Sequence, residues 1–376
     1  MFDANLTSRS YAKIDLNAIC HNFDELKSRL SPNVLTMAIV KADAYSHGVV
    51  QVTKTLSDKV DYFGVAVVEE AIELRENGID KPILILSHTL PHQYPLLLEY
   101  DIVQTVSSYE SARLISETAQ KEGKTAKIHI ALDTGMNRLG FEATDESVEQ
   151  IREIAKLPNV YIEGLFSHYA CADASDKTAA NEQTAKFKEF IAKLETVGVN
   201  IPIKHICNSA GIIDLDEHFD MVRMGIALYG MYPSETVNKA AVNLVPAMEI
   251  VSHIVHIHTV PKGTPVGYGY SFITERETKI ATIGIGYADG YSRSFSNKGY
   301  VLINGNRANV IGRVCMDLCT VDVTDIDDAE IGSHVIIMGK SGNDEISAEM
   351  LGELSGSFNY EVICGYKKRV ARVYVD

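Results

Sequence analysis

The sequence predicts an α/β chain: an N-terminal (β/α)8 barrel of the TIM type followed by a mostly-β domain. Three observations carry this reading. Short, almost wholly apolar runs recur through the first 230 or so residues. Helix-like segments separate most of these runs. Both habits stop near residue 240, where Val, Ile, Thr and Gly dominate.

In chain order, LNAICHNFDELKSRL (16–30) places Leu16, Ile19, Phe23, Leu26 and Leu30 on one stripe, as a surface helix does. VLTMAIV (34–40) follows, and an apolar run of that length reads as a strand buried on both faces. Similar runs occur at 62–68, 82–87, 102–106, 126–132, 160–167, 203–207 and 219–223. EEAIELRENG (69–78) is one of the helical separators, and Gly78 can end it. Eight strands in alternation with helices fit a closed barrel; a doubly wound open sheet is the alternative. Beyond residue 240 only ISAEMLGELSG (346–356) keeps a helical stripe, and turns such as VPKGTPVG and INGNRAN punctuate strand-like text. Residues 1–240 are therefore assigned to the barrel and 241–376 to the β domain.

Composition narrows the function. A net charge of −15 argues against nucleic acid or an anionic membrane as partner. No apolar run reaches the roughly 18 residues of a spanning helix, and MFDANLTSRS has no leader core. The expectation is a cytoplasmic protein. Six cysteines are scattered without a C-x-x-C pair, so they read as free thiols, several of them buried. SHIVHIH (252–258) is the one dense histidine stretch; it has no carboxylate or cysteine within it and reads as a strand face, so no metal is expected.

In a barrel of this type the working groups sit at the C-terminal ends of the strands. Unusual residues cluster there. Lys41 follows the first strand, Asp133 and Arg138 the fifth, His168 the sixth, and Asn208 and Ser209 the seventh; Arg223 ends the eighth. Any one of them alone is ordinary loop or ion-pair chemistry. Their convergence on one rim is not needed by a purely structural barrel. Ser209 and the turn at Gly225–Ile226 lie in the loops after strands seven and eight, where barrels often bind phosphate through backbone N–H groups and a hydroxyl. A lysine near such a site, with no P-loop and no dinucleotide fingerprint, points to pyridoxal 5′-phosphate, whose aldehyde condenses with a lysine amine.

The motifs AIVKADAYSHG, DTGMNRLG, SHYACAD, NSAG, VRMGIALYG, VGYGYSF, IGIGYADGYSR and GRVCMD stand in one order along nearly the whole chain. In this they resemble the alanine racemases, pyridoxal-phosphate enzymes with a TIM-like barrel and a β domain. The resemblance implies that Lys41 is the Schiff-base lysine and that Tyr45 helps hold the phosphate, with His47 in the same motif. It implies a two-base reaction, because racemisation removes the Cα proton from one face and returns one to the other. Lys41 then serves D-alanine, and Tyr268, from the β domain of the partner in a homodimer, serves L-alanine. A phenol needs help to ionise, and His168, beside the cofactor, is placed by resemblance to give it. Arg223 faces the pyridine nitrogen; a group that does not readily give up its proton leaves that nitrogen a weaker electron sink and suppresses side reactions. Asn208, Ser209, Gly225 and Ile226 complete the cofactor cradle. Arg138 binds the substrate carboxylate, with the partner's Met316 backbone beside it. Tyr287, Asp173, Arg293 and Arg313 match an entrance corridor. The implied role is D-alanine supply for peptidoglycan.

Two departures stand out. Where better-known members carry a carbamylated lysine that supports the substrate arginine, this chain has Ala131, and Asn137 replaces a common glycine beside Arg138. An anion such as chloride, or water, is expected in the carbamate's place. Near the C-terminus, EVICGYKKRVAR has Lys368 where a phosphate-contacting tyrosine stands in some members, with Tyr366 two positions earlier. Asp43 for Asn and Ser46 for Gly are milder changes. A racemase for serine or of broader range is the nearest alternative. A pyridoxal-phosphate decarboxylase and a non-catalytic pyridoxal-phosphate carrier are more distant ones.

Overall fold

The computed structural model describes residues 8–375; the first seven residues of MFDANLTSRS, read above for a leader, lie outside them. The chain divides into two compact units. One comprises Ala18–Ala44 and Val49–Val245; the other comprises the described residues through Asn17, Tyr45–Gly48 and the described residues from Pro246 onward.

The first unit is the barrel. Its strands are β1 Leu35–Ile39, β2 Tyr62–Val65, β3 Ile83–Ile85, β4 Val103–Val106, β5 Ala126–Asp133, β6 Val160–Phe166, β7 Ile203–His205 and β8 Met221–Met224. Each falls within, or one residue beyond, an apolar run of the sequence. They pair in parallel from β1 round to β7, and β8 pairs with β1. The last gap is bridged by Asp220 N–H to Lys204 O and Arg223 N–H to Cys207 O, both 3.0 Å. These bonds exclude the open-sheet alternative. β2, β3, β4 and β8 are buried at every position, which is why they carry no alternation. The surrounding helices bury the stripes expected of them. Leu16–Ser28 buries Ile19, Phe23 and Leu26. Tyr109–Glu122 starts at Ser108, whose hydroxyl accepts from Ser111 N–H, and stops at Gly123 with φ 63°.

The second unit is built on the long strand Met248–Val260, which pairs antiparallel with Ser10–Asp15, Thr278–Ile283 and His334–Ser341. Ser10–Asp15 also pairs in parallel with Ala371–Val375. The assignment of residues 1–240 to the barrel therefore needs correcting at two places. Ser10–Asp15 lies in this sheet, where Ala12 and Ile14 are fully buried and Lys13 points out. Tyr45–Gly48 also packs with this unit: Arg372 Nε donates to Ser46 O at 2.9 Å, and the Tyr45 ring lies 6.3 Å from that of Tyr360. Ala348–Ser355 is the expected helix; a second one, Asn359–Gly365, carries no clear stripe in the sequence. SHIVHIH lies in the long strand, with the His256 and His258 rings stacked at 5.0 Å. Among the described residues no three His, Cys, Asp or Glu side chains come together as a metal site.

Gly164 in β6 faces the ring of His129 in β5, and any Cβ there would collide with it. Gly164→Ala is expected to destabilise the barrel by about 1–3 kcal/mol, read as a lower midpoint in urea unfolding.

Candidate active site

Lys41 follows β1, and the chain beyond it does something L-residues rarely do. Ala42, Asp43, Ala44, Tyr45 and Ser46 all have φ between 52° and 66°, a full left-handed turn without glycine. Each such residue costs about 1–2 kcal/mol, so the turn must be held from outside. Glu70 Oε1 accepts from Ala42 N–H at 2.6 Å while its Oε2 accepts from Ala66 N–H at 2.8 Å. Asp43 Oδ1 accepts from Val49 N–H at 2.8 Å at the start of the next helix. Ala44 N–H reaches Val40 O at 2.9 Å. Tyr45 is buried, and burial raises its phenol above the ordinary range; His47 Nδ1 sits 2.9 Å from Tyr45 O.

Arg223, on β8, is 3% exposed. Its Nη2 donates to Ser167 O, Ile206 O and His168 Nδ1, each at 2.9 Å, and its Nη1 donates to His205 Nδ1 at 2.8 Å. Among the described residues no acceptor takes the Nε–H. Burial pushes the guanidinium down to about 10, still cationic at neutral pH. His168 is depressed well below the usual imidazole value by burial first, then by the positive charges of Arg223, Arg138 and Lys41. Three cations thus act on one neutral histidine at the barrel mouth, with Arg223 in direct contact. Its backbone is fixed by Gln183, whose Nε2 donates to His168 O at 2.9 Å and to Thr134 Oγ1 at 3.1 Å. Thr134 Oγ1 is in turn 2.8 Å from Ser167 Oγ.

Two short helical turns open side by side. Asn208 Oδ1 caps Ser209–Asp214 by accepting from Gly211 N–H at 3.0 Å. Ser209 Oγ accepts from Gly225 N–H at 3.0 Å and Ala227 N–H at 3.3 Å, leaving its own hydrogen to donate elsewhere. Ile226 begins the turn Ile226–Tyr229, so its N–H has no acceptor within that turn. Arg138 is exposed in the turn after β5, preceded by Asn137 at φ 54°, and Ala131 is buried. Arg138 makes no side-chain hydrogen bond among the described residues.

The remaining expected residues lie in the second unit. Tyr268 is 69% exposed on a turn whose flanking Gly267 and Gly269 have φ 72° and 68°. Met316 is 53% exposed, and its carbonyl accepts from Ala288 N–H at 3.0 Å. Gly286 lies against the backbone of Cys315 and Met316 with no room for a Cβ. Tyr287 is exposed, and the Arg313 guanidinium lies against Gly269. Arg293 starts the turn Arg293–Phe295, while Asp173 O, in the barrel unit, accepts from Ser234 Oγ at 3.2 Å. Tyr366 is fully buried beside Gly290, whereas Lys368 is exposed. Glu70, Gln183, His129, His205 and Glu163 support the mouth and were not singled out from the sequence. Their one signal was place: His129, His205 and Glu163 are polar residues inside apolar strand runs.

Fold and site define a (β/α)8-barrel enzyme with a lysine, a neutral histidine and a buried arginine at the strand ends, and a second unit of mostly β structure. Two family models match the chain: alanine racemase, N-terminal domain, over residues 14–233, and alanine racemase, C-terminal domain, over 247–374. The alanine racemase of Methanococcus maripaludis is 46% identical over 367 residues, covering 97% of this chain and 98% of that protein. The alanine racemase structure from Clostridium difficile superimposes with a TM-score of 0.95 at 40% identity, covering 98% of this chain and 96% of that one. That from Bartonella henselae, with covalently bound pyridoxal phosphate, gives 0.86 at 28% identity, covering 98% and 100%. The chain belongs to the alanine racemase family.

Acid should weaken this barrel. His129, His168 and His205 are all held neutral, chiefly by burial. Each binds a proton more readily unfolded than folded, so the unfolded chain gains as pH falls below the ordinary imidazole value near 6.5. Three such groups steepen the loss by up to about 4 kcal/mol per pH unit. Urea unfolding at pH 7.5 and 5.5 should show that loss, and replacing His168 with Gln should reduce it.

Proposed function

We propose that the chain is a pyridoxal-phosphate-dependent isomerase that interconverts L- and D-alanine in the cytoplasm and supplies D-alanine for peptidoglycan. The observation that carries this is the mouth of the barrel: Lys41 and Arg138 act on His168, which is bonded to Arg223, with the Ser209–Ile226 donors on the adjoining loops. No helix among the described residues is long and apolar enough to cross a membrane.

The donor set fits the cofactor. The Ser209 hydroxyl and the first N–H groups of the two short turns suit a phosphate. Arg223 has an uncommitted Nε–H to offer a ring nitrogen, and Lys41 supplies an amine for the aldehyde. Bound there, pyridoxal phosphate would supply the electron sink that makes the Cα proton of an amino acid labile. Lys41 would be its attachment point, with Asn208, Gly225, Tyr45 and His168 around it.

The chain's own residues do the rest. Lys41 Nζ takes or returns the Cα proton on the D side. The Tyr268 hydroxyl of the partner subunit does so on the L side, with neutral His168 as the group that shares its proton. Arg223 would offer the ring nitrogen a hydrogen bond while keeping its own proton. Arg138 binds the substrate carboxylate, beside the Met316 backbone of the partner. The supporting feature for a homodimer is the exposed group Tyr268, Tyr270, Ile273, Tyr287 and Met316 on the second unit. Tyr287, Asp173, Arg293 and Arg313 are assigned to substrate entry. With alanine at 131, an anion or water beside Arg138 takes the carbamate's place.

Purified, cofactor-loaded protein should convert L-alanine to the D-form in a chiral assay faster than any other L-amino acid. Preferred conversion of serine would reassign the substrate, carbon dioxide release would indicate a decarboxylase, and bound cofactor with no turnover a carrier. Tyr268→Phe should lower L-to-D turnover by about a hundredfold or more while leaving cofactor binding intact. If chloride stands beside Arg138, KM for alanine should rise when chloride is replaced by a large anion, with kcat little changed.

A further inference from the structure

Arg223 is a buried cation, yet among the described residues no carboxylate touches it. Such a charge is costly unless it is compensated. The compensation is found by following its Nη1. Arginine only donates, so the 2.8 Å contact fixes His205 Nδ1 as an acceptor and puts that ring's proton on Nε2. His205 Nε2 lies 3.0 Å from His129 Nδ1, which must therefore accept, and the His129 proton sits on Nε2. That nitrogen is 3.3 Å from Glu163 Oε2. The Tyr62 phenol and Glu163 act on one another electrostatically. Both imidazoles are fully buried, and Glu163 is 15% exposed. Every bond in the row points the same way, from guanidinium to carboxylate, and neither histidine has a free choice of tautomer.

We propose that Glu163, acting through His129 and His205, is the counter-charge of Arg223, and that these three are positioning residues for the reaction at the barrel mouth. A carboxylate placed directly on Arg223 would draw its N–H groups inward and cancel its field at the mouth. Two neutral rings in between pass on polarisation without bringing the negative charge close. The surrounding charges agree with this placement. Burial alone would raise Glu163, but its bond from His129, with Tyr62 and Lys127 acting alongside, brings it below the ordinary carboxylate value. Burial holds His129 and His205 neutral, and Arg223 adds to that. At the other end Arg138 and Lys41 act on His168. Asp61 and Tyr161 act on Tyr62.

The first test is independent of the cofactor reading. In protein labelled with 15N-histidine, with and without bound pyridoxal phosphate, His129 and His205 should each show a protonated Nε2 and a bare Nδ1, unchanged from pH 5.5 to 8.5. The opposite tautomer at either ring, or titration of either near pH 6.5, overturns the proposal. The second test rests on the reading of Arg223 as the residue facing the cofactor ring. Glu163→Gln keeps an acceptor for His129 but removes the charge; Glu163→Leu removes both. In Glu163→Gln the tautomers should persist, kcat should fall about tenfold with KM within about twofold, and the kcat/KM profile should move toward acid by about half a unit, because removing an anion favours deprotonated groups nearby. In Glu163→Leu the tautomers, dictated from Arg223, should also persist, the His129 Nε2–H should lose its acceptor, and kcat should fall at least as far as in Glu163→Gln. A lowered melting point with kcat and the pH profile unmoved in Glu163→Gln assigns the row a structural role only and overturns the positioning claim. Correct tautomers in a protein that binds no pyridoxal phosphate would instead leave the relay standing and remove the cofactor reading.

Discussion

The barrel mouth depends on keeping one charge, that of Arg223, where water cannot reach it. Two backbone carbonyls, Ser167 O and Ile206 O, and two imidazole nitrogens are aimed at that guanidinium. Those carbonyls belong to the residues just beyond β6 and β7, so the arginine also ties the ends of adjacent strands together. Because it only donates, it dictates the protonation of His168 and His205. A single side chain thus sets the strand-end geometry and the acid–base character of its neighbours. A lysine could not replace it, having neither the planar fork nor the same number of donors.

Much of this was legible in the sequence, and the limits have physical causes. The eight strands could be read because strands buried on both faces have no choice but to be apolar, and their ends located Lys41, Arg138, His168, Ser209 and Arg223. Ser10–Asp15 was read with the barrel because it stands just before the first barrel helix. Its partners, Met248–Val260 and Ala371–Val375, are far away in sequence, and local pattern does not record long-range pairing. The helix Asn359–Gly365 is short and weakly striped, so it did not stand out. His129 and Glu163 sit in strand text otherwise apolar enough to mask them; their meaning depends on which strands are neighbours.

The second unit presents a different kind of order. Its exposed turn at Tyr268 rests on two positive-φ glycines, and its Met316 loop on the tight approach of Gly286. Beneath them, Asp289, almost wholly buried, accepts from Gly286 N–H at 2.9 Å and is held by Arg9 and Arg369, each at 3.1 Å. The exposed residues are therefore carried on a stiff base. Here the carboxylate meets its arginines directly, in contrast to the barrel, where two rings intervene. The barrel keeps a charge available, whereas the second unit uses one up to fix a loop.

The left-handed turn after Lys41 has a consequence for how the molecule forms. Five consecutive L-residues in that conformation gain nothing from local propensity, so the turn cannot nucleate folding. It must wait for Glu70, for the helix beginning at Val49 and for Arg372, which stands more than 320 residues later in the chain. A nascent chain can assemble most of its barrel strands while this segment is still in ordinary right-handed or extended conformations. The lysine is therefore set in place only once those distant partners are in position.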